Sequence, residues 1–128
     1  MSAVARTLVV FGWYLAGFGA LLVFVPNLLL GIFGLPPTEE VWIRVVGVLV
    51  LVIAYFNLRL GREEFLPHAR LTVHARVAVL GFLVAFVLAG LAKPILILVG
   101  VVDFAGALWT AAALRRDPRG ATQPLLNQ

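Results

Sequence analysis

The chain has 128 residues, of which 62% are hydrophobic and only 12% charged, with a net charge of +4. Ordinary soluble domains hold roughly 45–50% apolar and 25% charged residues, so this composition excludes a water-soluble fold of the same length and points to lipid as the solvent. Cysteine is absent, which excludes disulfides, thiolate metal sites and cysteine nucleophiles.

The first apolar run, residues 8–25, reads LVVFGWYLAGFGALLVFV. At 1.5 Å per residue it covers about 27 Å, enough for one crossing. It exceeds the usual signal-peptide core and no small-x-small cleavage site follows it, so a retained helix is expected. Gly12, Ala16 and Ala20 fall four apart and offer a second helix a close approach. Pro26 ends this span. The following segment, 26–35, is too short to cross and is expected to lie at the interface as one or two helical turns, with a buried extended loop as the alternative.

Thr38 is the expected N-cap of the second span, 41–60, with Glu39 and Glu40 near the positive end of its dipole. At 100° per residue Arg44, Gly47, Leu51, Tyr55 and Arg62 share a face that is expected to look inward, while Asn57 points elsewhere. The polar stretch GREEFLPHAR, punctuated by Gly61 and Pro67, is expected to be a loop. His68 and His74 fall in it or just beyond, and their six-residue spacing fits a solvated interfacial segment better than a metal site.

The third span, 71–91, carries Arg76 in its second turn, where it either snorkels to the surface or turns inward to a carboxylate. Ala78, Gly81, Ala85 and Ala89 form a strip of small residues suited to helix packing. A turn at Ala92, Lys93 and Pro94 makes spans three and four antiparallel neighbours. The fourth span, 94–116, places Asp103 near its middle on a stripe with Gly100, Ala107 and Thr110. The tail, 117–128, is polar, broken by Pro118 and Pro124, and expected to be mobile.

These elements give an all-α, integral membrane four-helix bundle, a single domain with an interfacial segment between its first two spans. Four spans put both termini on one side with the loop between spans two and three. Arg6, Arg59, Arg62, Arg70, Arg76, Arg115, Arg116 and Arg119 fall on that side, against Arg44 and Lys93 opposite. Basic residues favour the cytoplasmic face, so a cell inner-membrane location with both termini cytoplasmic is expected. No motif or continuous basic face supports nucleic-acid binding.

An acid at mid-membrane depth costs about 2.5–3.5 kcal/mol on insertion scales and so should face protein or water. Two readings of Asp103 stand side by side. It is either a lock between helices or part of a ligand- or proton-binding site with Arg44 or Arg76 as counter-charge and Tyr55, Thr110 or Asn57 as hydrogen-bonding neighbours. No catalytic motif, cofactor loop or metal cluster is expected, and the balance leans away from an enzyme. The function classes that follow are a binder of a small hydrophobic molecule (lipid, isoprenoid or quinone) near Asp103, or a structural or assembly subunit that pairs with copies of itself or with a partner membrane subunit. A proton-coupled transporter is weaker, because the first span carries no acid.

Three segments, VFVPNLLLGIFGLPP, RVVGVLVLVIAYFNLRL and DFAGALWTAAALRR, together resemble the DoxX-like and related families of small bacterial four-helix membrane proteins. The shared features are a proline after the first helix, an arginine in the second and an aspartate in the fourth, over most of the chain. The resemblance implies the fold. DoxX itself is associated with a quinone-linked oxidoreductase complex, so the resemblance also implies partner subunits.

Overall fold

A computed structural model describes residues 1–119. Five helices follow one another: α1 (Ala3–Phe24), α2 (Pro26–Ile32), α3 (Trp42–Arg62), α4 (Leu66–Leu88) and α5 (Leu96–Arg116). All but α2 are long and apolar enough to cross a membrane, and the described chain is a helical bundle without strands. Large apolar side chains also cover its outside, with Leu49 58% and Phe82 64% exposed. An apolar core inside an apolar coat is the pattern of a multi-pass membrane protein, whose surroundings are as apolar as its interior.

Local chemistry sets the helix ends. The Ser2 hydroxyl accepts a hydrogen bond from the Ala5 amide at 3.1 Å, which starts α1 five residues before the apolar run begins. Those added residues are core: Val4 and Ala5 are buried with Leu8, Leu66, Ala69 and Ala113. Pro26 both closes α1 and opens α2, since its missing N–H is no loss in a first turn. Gly34, at φ +70, ends α2, with the Leu35 amide donating back to the Leu30 carbonyl at 2.8 Å.

Two boundaries differ from expectation. Thr38 does not cap α3. Its hydroxyl accepts from the Glu40 amide and its own amide donates to Asn27 Oδ1 at 2.8 Å, tying the connecting segment to α2, so α3 begins only at Trp42. Pro67 does not mark a loop. It lies in the first turn of α4, and the connection shrinks to residues 63–65, with Glu64 at φ 56. His68 and His74 are therefore helical residues of α4.

The long helices pair as α1 on α3 and α4 on α5, and α1 also touches α5. Small residues set the first pairing. A Cβ on Gly47 would come within 2.8 Å of Leu22 Cβ, and one on Gly61 within 2.9 Å of Leu8 Cβ. On α1 the contact is made through Gly12 and Gly19, whereas Ala16 and Ala20 are only partly buried. The face of α3 turned inward carries Gly47, Ala54, Asn57 and Gly61. Its centre lies about 80° around the helix from that of the expected face, of which Gly47 and Leu51 do meet α1, because small residues let α1 approach and the long side chains of Arg44 and Tyr55 do not. The strip Ala78, Gly81, Ala85 and Ala89 on α4 is exposed, and a Cβ on Gly81 would meet nothing within 4 Å.

The N-terminus, the α3–α4 turn and the end of α5 meet at one end of the bundle. The Ser2 amide donates to Glu64 Oε1 at 2.9 Å, and the Arg119 guanidinium lies 3.6 Å from the same oxygen. Arg119 also binds Asp117 at 2.8 Å, so the first residues after α5 are held in place; the rest of the expected mobile tail lies outside the described residues. The Ser2 hydrogen bonds hold the Glu64 carboxyl below the ordinary glutamate range, with Arg119 adding to the effect. A carboxylate lowered by folding stabilises the fold above its unfolded pKa, and that contribution is lost as pH falls through the lowered value. Protection of the first-turn amides of α1, taken as their exchange rate relative to the unfolded chain at the same pH, should therefore be high at neutral pH and fall only in acid. Glu64→Gly, which keeps the left-handed backbone comfortable, should lower that protection at every pH; an acid-dependent loss of protection surviving in Glu64→Gly would assign the effect to another group.

Candidate functional site: a central cavity with a buried arginine

A cavity of about 330 Å³ lies among the four long helices. Its α1 wall is Phe11, Tyr14, Leu15 and Phe18, its α3 wall Val46, Val50 and Ile53. On the other side stand Arg76 with its α4 neighbours, and Val99 and Asp103 of α5. The mouth lies between α3 and α4, which pack on α1 and α5 rather than on each other, and there Val46 and Ile53 are about half exposed.

Arg76 turns inward, not to the surface, and is 4% exposed. Its Nε donates to the Thr72 carbonyl one turn back at 3.2 Å, and its Nη2 donates to Thr110 Oγ1 at 2.9 Å. The chain continues: the Thr110 hydroxyl donates to Thr7 Oγ1 at 2.9 Å, and Thr7 donates to the Val4 carbonyl at 2.7 Å. One polar line thus joins α4, α5 and α1. The guanidinium also stacks 4.4 Å from the centre of the Phe11 ring, where a desolvated cation–π contact is worth about 2 kcal/mol. Its remaining nitrogen, Nη1, is buried without a hydrogen-bond acceptor among the described residues and packs close to Gly106.

Asp103 is half buried on the same stripe as the buried Gly100, Ala107 and Thr110. Its carboxyl and the Arg76 guanidinium are near enough to attract each other, yet no ion pair or hydrogen bond among the described residues joins them. An intramembrane acid and an intramembrane base therefore border one hollow without neutralising each other by contact. The site offers a carboxyl without a hydrogen-bond partner among the described residues, at the wall of a mainly apolar space large enough for a small molecule.

Of the residues singled out in the sequence, the structure brings Asp103, Arg76 and Thr110 together. Arg44 and Tyr55 lie elsewhere. The Arg44 guanidinium donates to the Val23 carbonyl at the far end of the bundle, and Tyr55 is 61% exposed, against Phe56 at a ring separation of 6.0 Å. The residues not foreseen are Thr7, Phe11 and Tyr14 of α1 and His68 of α4, while Asn57, expected as a hydrogen-bonding neighbour of Asp103, pairs with His68 instead. Asn57 is fully buried. Its Nδ2 donates to the Ile53 carbonyl, and its Oδ1 lies 3.3 Å from His68 Nε2, which ties α3 to α4 beside the mouth. The small residues Gly47, Ala54 and Gly61 were its signal, since they put Asn57 on the closely packed side of α3.

Among the described residues no group of histidine, aspartate and glutamate side chains is placed to hold a metal ion. No family model matches the chain, and no curated protein or solved structure matches it.

Proposed function

We propose that this membrane protein binds a small hydrophobic molecule in the central cavity, with Asp103 at the polar end of the pocket. The observation that carries the proposal is the cavity of about 330 Å³ bounded by both Asp103 and Arg76 and, apart from the hydroxyl-bearing Thr72 and Tyr14, walled by apolar side chains. A helix lock alone would bring the carboxylate into direct contact with a partner; here the lock is made by Arg76, Thr110 and Thr7, and Asp103 stands apart from it. We also propose an inner-membrane orientation with the Ser2–Glu64–Arg119 end in the cytoplasm. Arg6, Arg59, Arg62, Arg70, Arg115 and Arg116 belong to that end by position, against Arg44 and Lys93 at the other. Arg76 leaves this tally because it is buried within the bundle.

Native mass spectrometry of protein extracted in mild detergent tests the binding. Wild-type protein should carry an apolar adduct of defined mass, and Asp103→Asn should lose it while keeping its melting temperature within a few degrees. An adduct retained in full by Asp103→Asn would overturn the role given to the carboxylate. A second reading, a subunit that pairs through α4, is favoured by the exposed small-residue strip at Ala78, Gly81, Ala85 and Ala89. Dimers without an adduct in the same spectra would select it.

A further inference from the structure

Two further hollows adjoin the central cavity at Phe18. A second hollow of about 200 Å³ lies beneath the short helix α2, bounded by Phe18, Leu22, Leu29, Leu30 and Phe33 together with residues of α3, α4 and α5. A third, of about 220 Å³, lies between α1, α2 and α5 and is bounded by Tyr14, Phe18, Leu29, Phe33 and Val99 among others. All three share Phe18 and Val99. The α2 hollow is lined by apolar side chains throughout.

An aromatic column marks the same route. Arg76 lies over Phe11, Phe11 is 5.5 Å from Tyr14, Tyr14 is 6.1 Å from Phe18, and Phe18 is 6.5 Å from Phe33 of the α2 cap. From Asp103 to the start of α5 at Leu96 the route rises about 10 Å at 1.5 Å per residue. Its polar groups therefore stand at one end and its apolar volume at the other.

We propose that the occupant is a long-chain amphiphile with an uncharged hydroxyl head, held with its head at Asp103 and its tail passing Phe18 to lie beneath α2. This rests on the reading of the central cavity as a binding site. The head chemistry follows from the two charges beside it. The opposite charges of Asp103 and Arg76 largely cancel, so neither an anionic nor a cationic head is repaid for its desolvation, whereas a hydroxyl donates to the carboxylate at no charge cost. The tail direction follows from that adjacency: beyond Phe18 nothing polar lines the hollow under α2.

Photo-crosslinking tests head and tail separately. Two dodecanol probes are used with the protein in lipid nanodiscs, one with a diazirine beside the hydroxyl and one with it at the tail end. The head-end probe should label peptides around Asp103 and Arg76, and the tail-end probe peptides of α2 around Leu29 and Phe33. Phe18→Trp should cut tail-end labelling of α2 about tenfold, the effect of a modest steric misfit, while head-end labelling persists and shows that the variant is folded. If Phe18→Trp does not fold, Leu29→Trp narrows the same path from α2. Excess dodecanol should compete, and the concentration at which a decyl-substituted quinol does so relative to dodecanol distinguishes an aliphatic alcohol from a quinol as the source of the hydroxyl; lauric acid and dodecylamine should not compete. Tail-end labelling at Val46 and Val79 would place the tail through the α3–α4 mouth and overturn this inference while leaving the cavity as the binding site. Equal competition by lauric acid would overturn the uncharged head. Absence of head-end labelling near Asp103 would overturn the cavity reading itself.

Discussion

Arg76→Ala should lower the unfolding free energy by about 3 kcal/mol, within the range found for large truncations in packed interiors and for charges left unpaired. Burying a guanidinium costs about 2.5–3.5 kcal/mol on insertion scales, so the residue is retained only because its surroundings offset that cost. They are specific: the Thr110 hydroxyl at 2.9 Å, the Thr72 carbonyl at 3.2 Å, the Phe11 ring at 4.4 Å and the nearby Asp103 carboxylate. Hydrogen bonds between transmembrane helices average only about 0.6 kcal/mol, so the Thr110 bond alone is a minor part. Stacking and shape carry more. Arg76→Met, which refills the volume without the charge, should therefore recover about 2 kcal/mol relative to Arg76→Ala. Arg76→Lys should behave poorly, because an ammonium cannot lie flat on Phe11 and reach Thr110 together. Adding Asp103→Asn to Arg76→Met should restore further stability, since the acid no longer stands alone. Unfolding in mixed detergent micelles reads all four variants. Wild-type stability in Arg76→Ala would remove Arg76 from the structural core and leave the polar line from α4 to α1 without a purpose.

The parts of this architecture that were legible in the sequence are those written in short-range patterns. Four apolar runs predicted four spans, and the proline after the first predicted a short second helix. The stripe through Gly100, Asp103, Ala107 and Thr110 predicted the inner face of α5, because a helix packed on one side shows its burial as a simple period. The α3 face misled because Arg44 and Tyr55 looked like polar lining. Arg44 instead satisfies the Val23 carbonyl, and Tyr55 faces outward among lipid-exposed aromatics. In a bilayer the outer surface is as apolar as the core, so hydropathy does not separate the two and only small residues mark the inside. Thr7 was illegible for a different reason. Its partner Thr110 is 103 residues away, and nothing local in an apolar run signals a pairing of that range.

Gly47→Ala should cost about 2 kcal/mol, although alanine is by itself the better helix former. A Cβ at this position would sit 2.8 Å from Leu22 Cβ, 2.8 Å from Val23 Cγ2 and 2.9 Å from the Val23 amide nitrogen. The last of these is backbone and cannot rotate away, so α1 and α3 must move apart. Gly19 faces the same seam from the other helix, where a Cβ would lie 3.0 Å from the Gly47 carbonyl oxygen. In lipid no hydrophobic driving force holds such a pair together, so dispersion forfeited along the seam is not recovered elsewhere. Gly81→Ala provides the comparison. Open space surrounds Gly81, so the same substitution there should be neutral or stabilising by up to about 1 kcal/mol. The site should respond as well. Val46 and Val50, beside Gly47, form the α3 wall of the central cavity, so a displaced α3 widens the pocket and weakens its grip on an apolar occupant. Gly47→Ala should therefore lose the adduct seen by native mass spectrometry at temperatures where it is still folded, while Gly81→Ala keeps it. Equal stability and equal adduct in the two variants would show that the α1–α3 seam is loose and that the cavity does not depend on it.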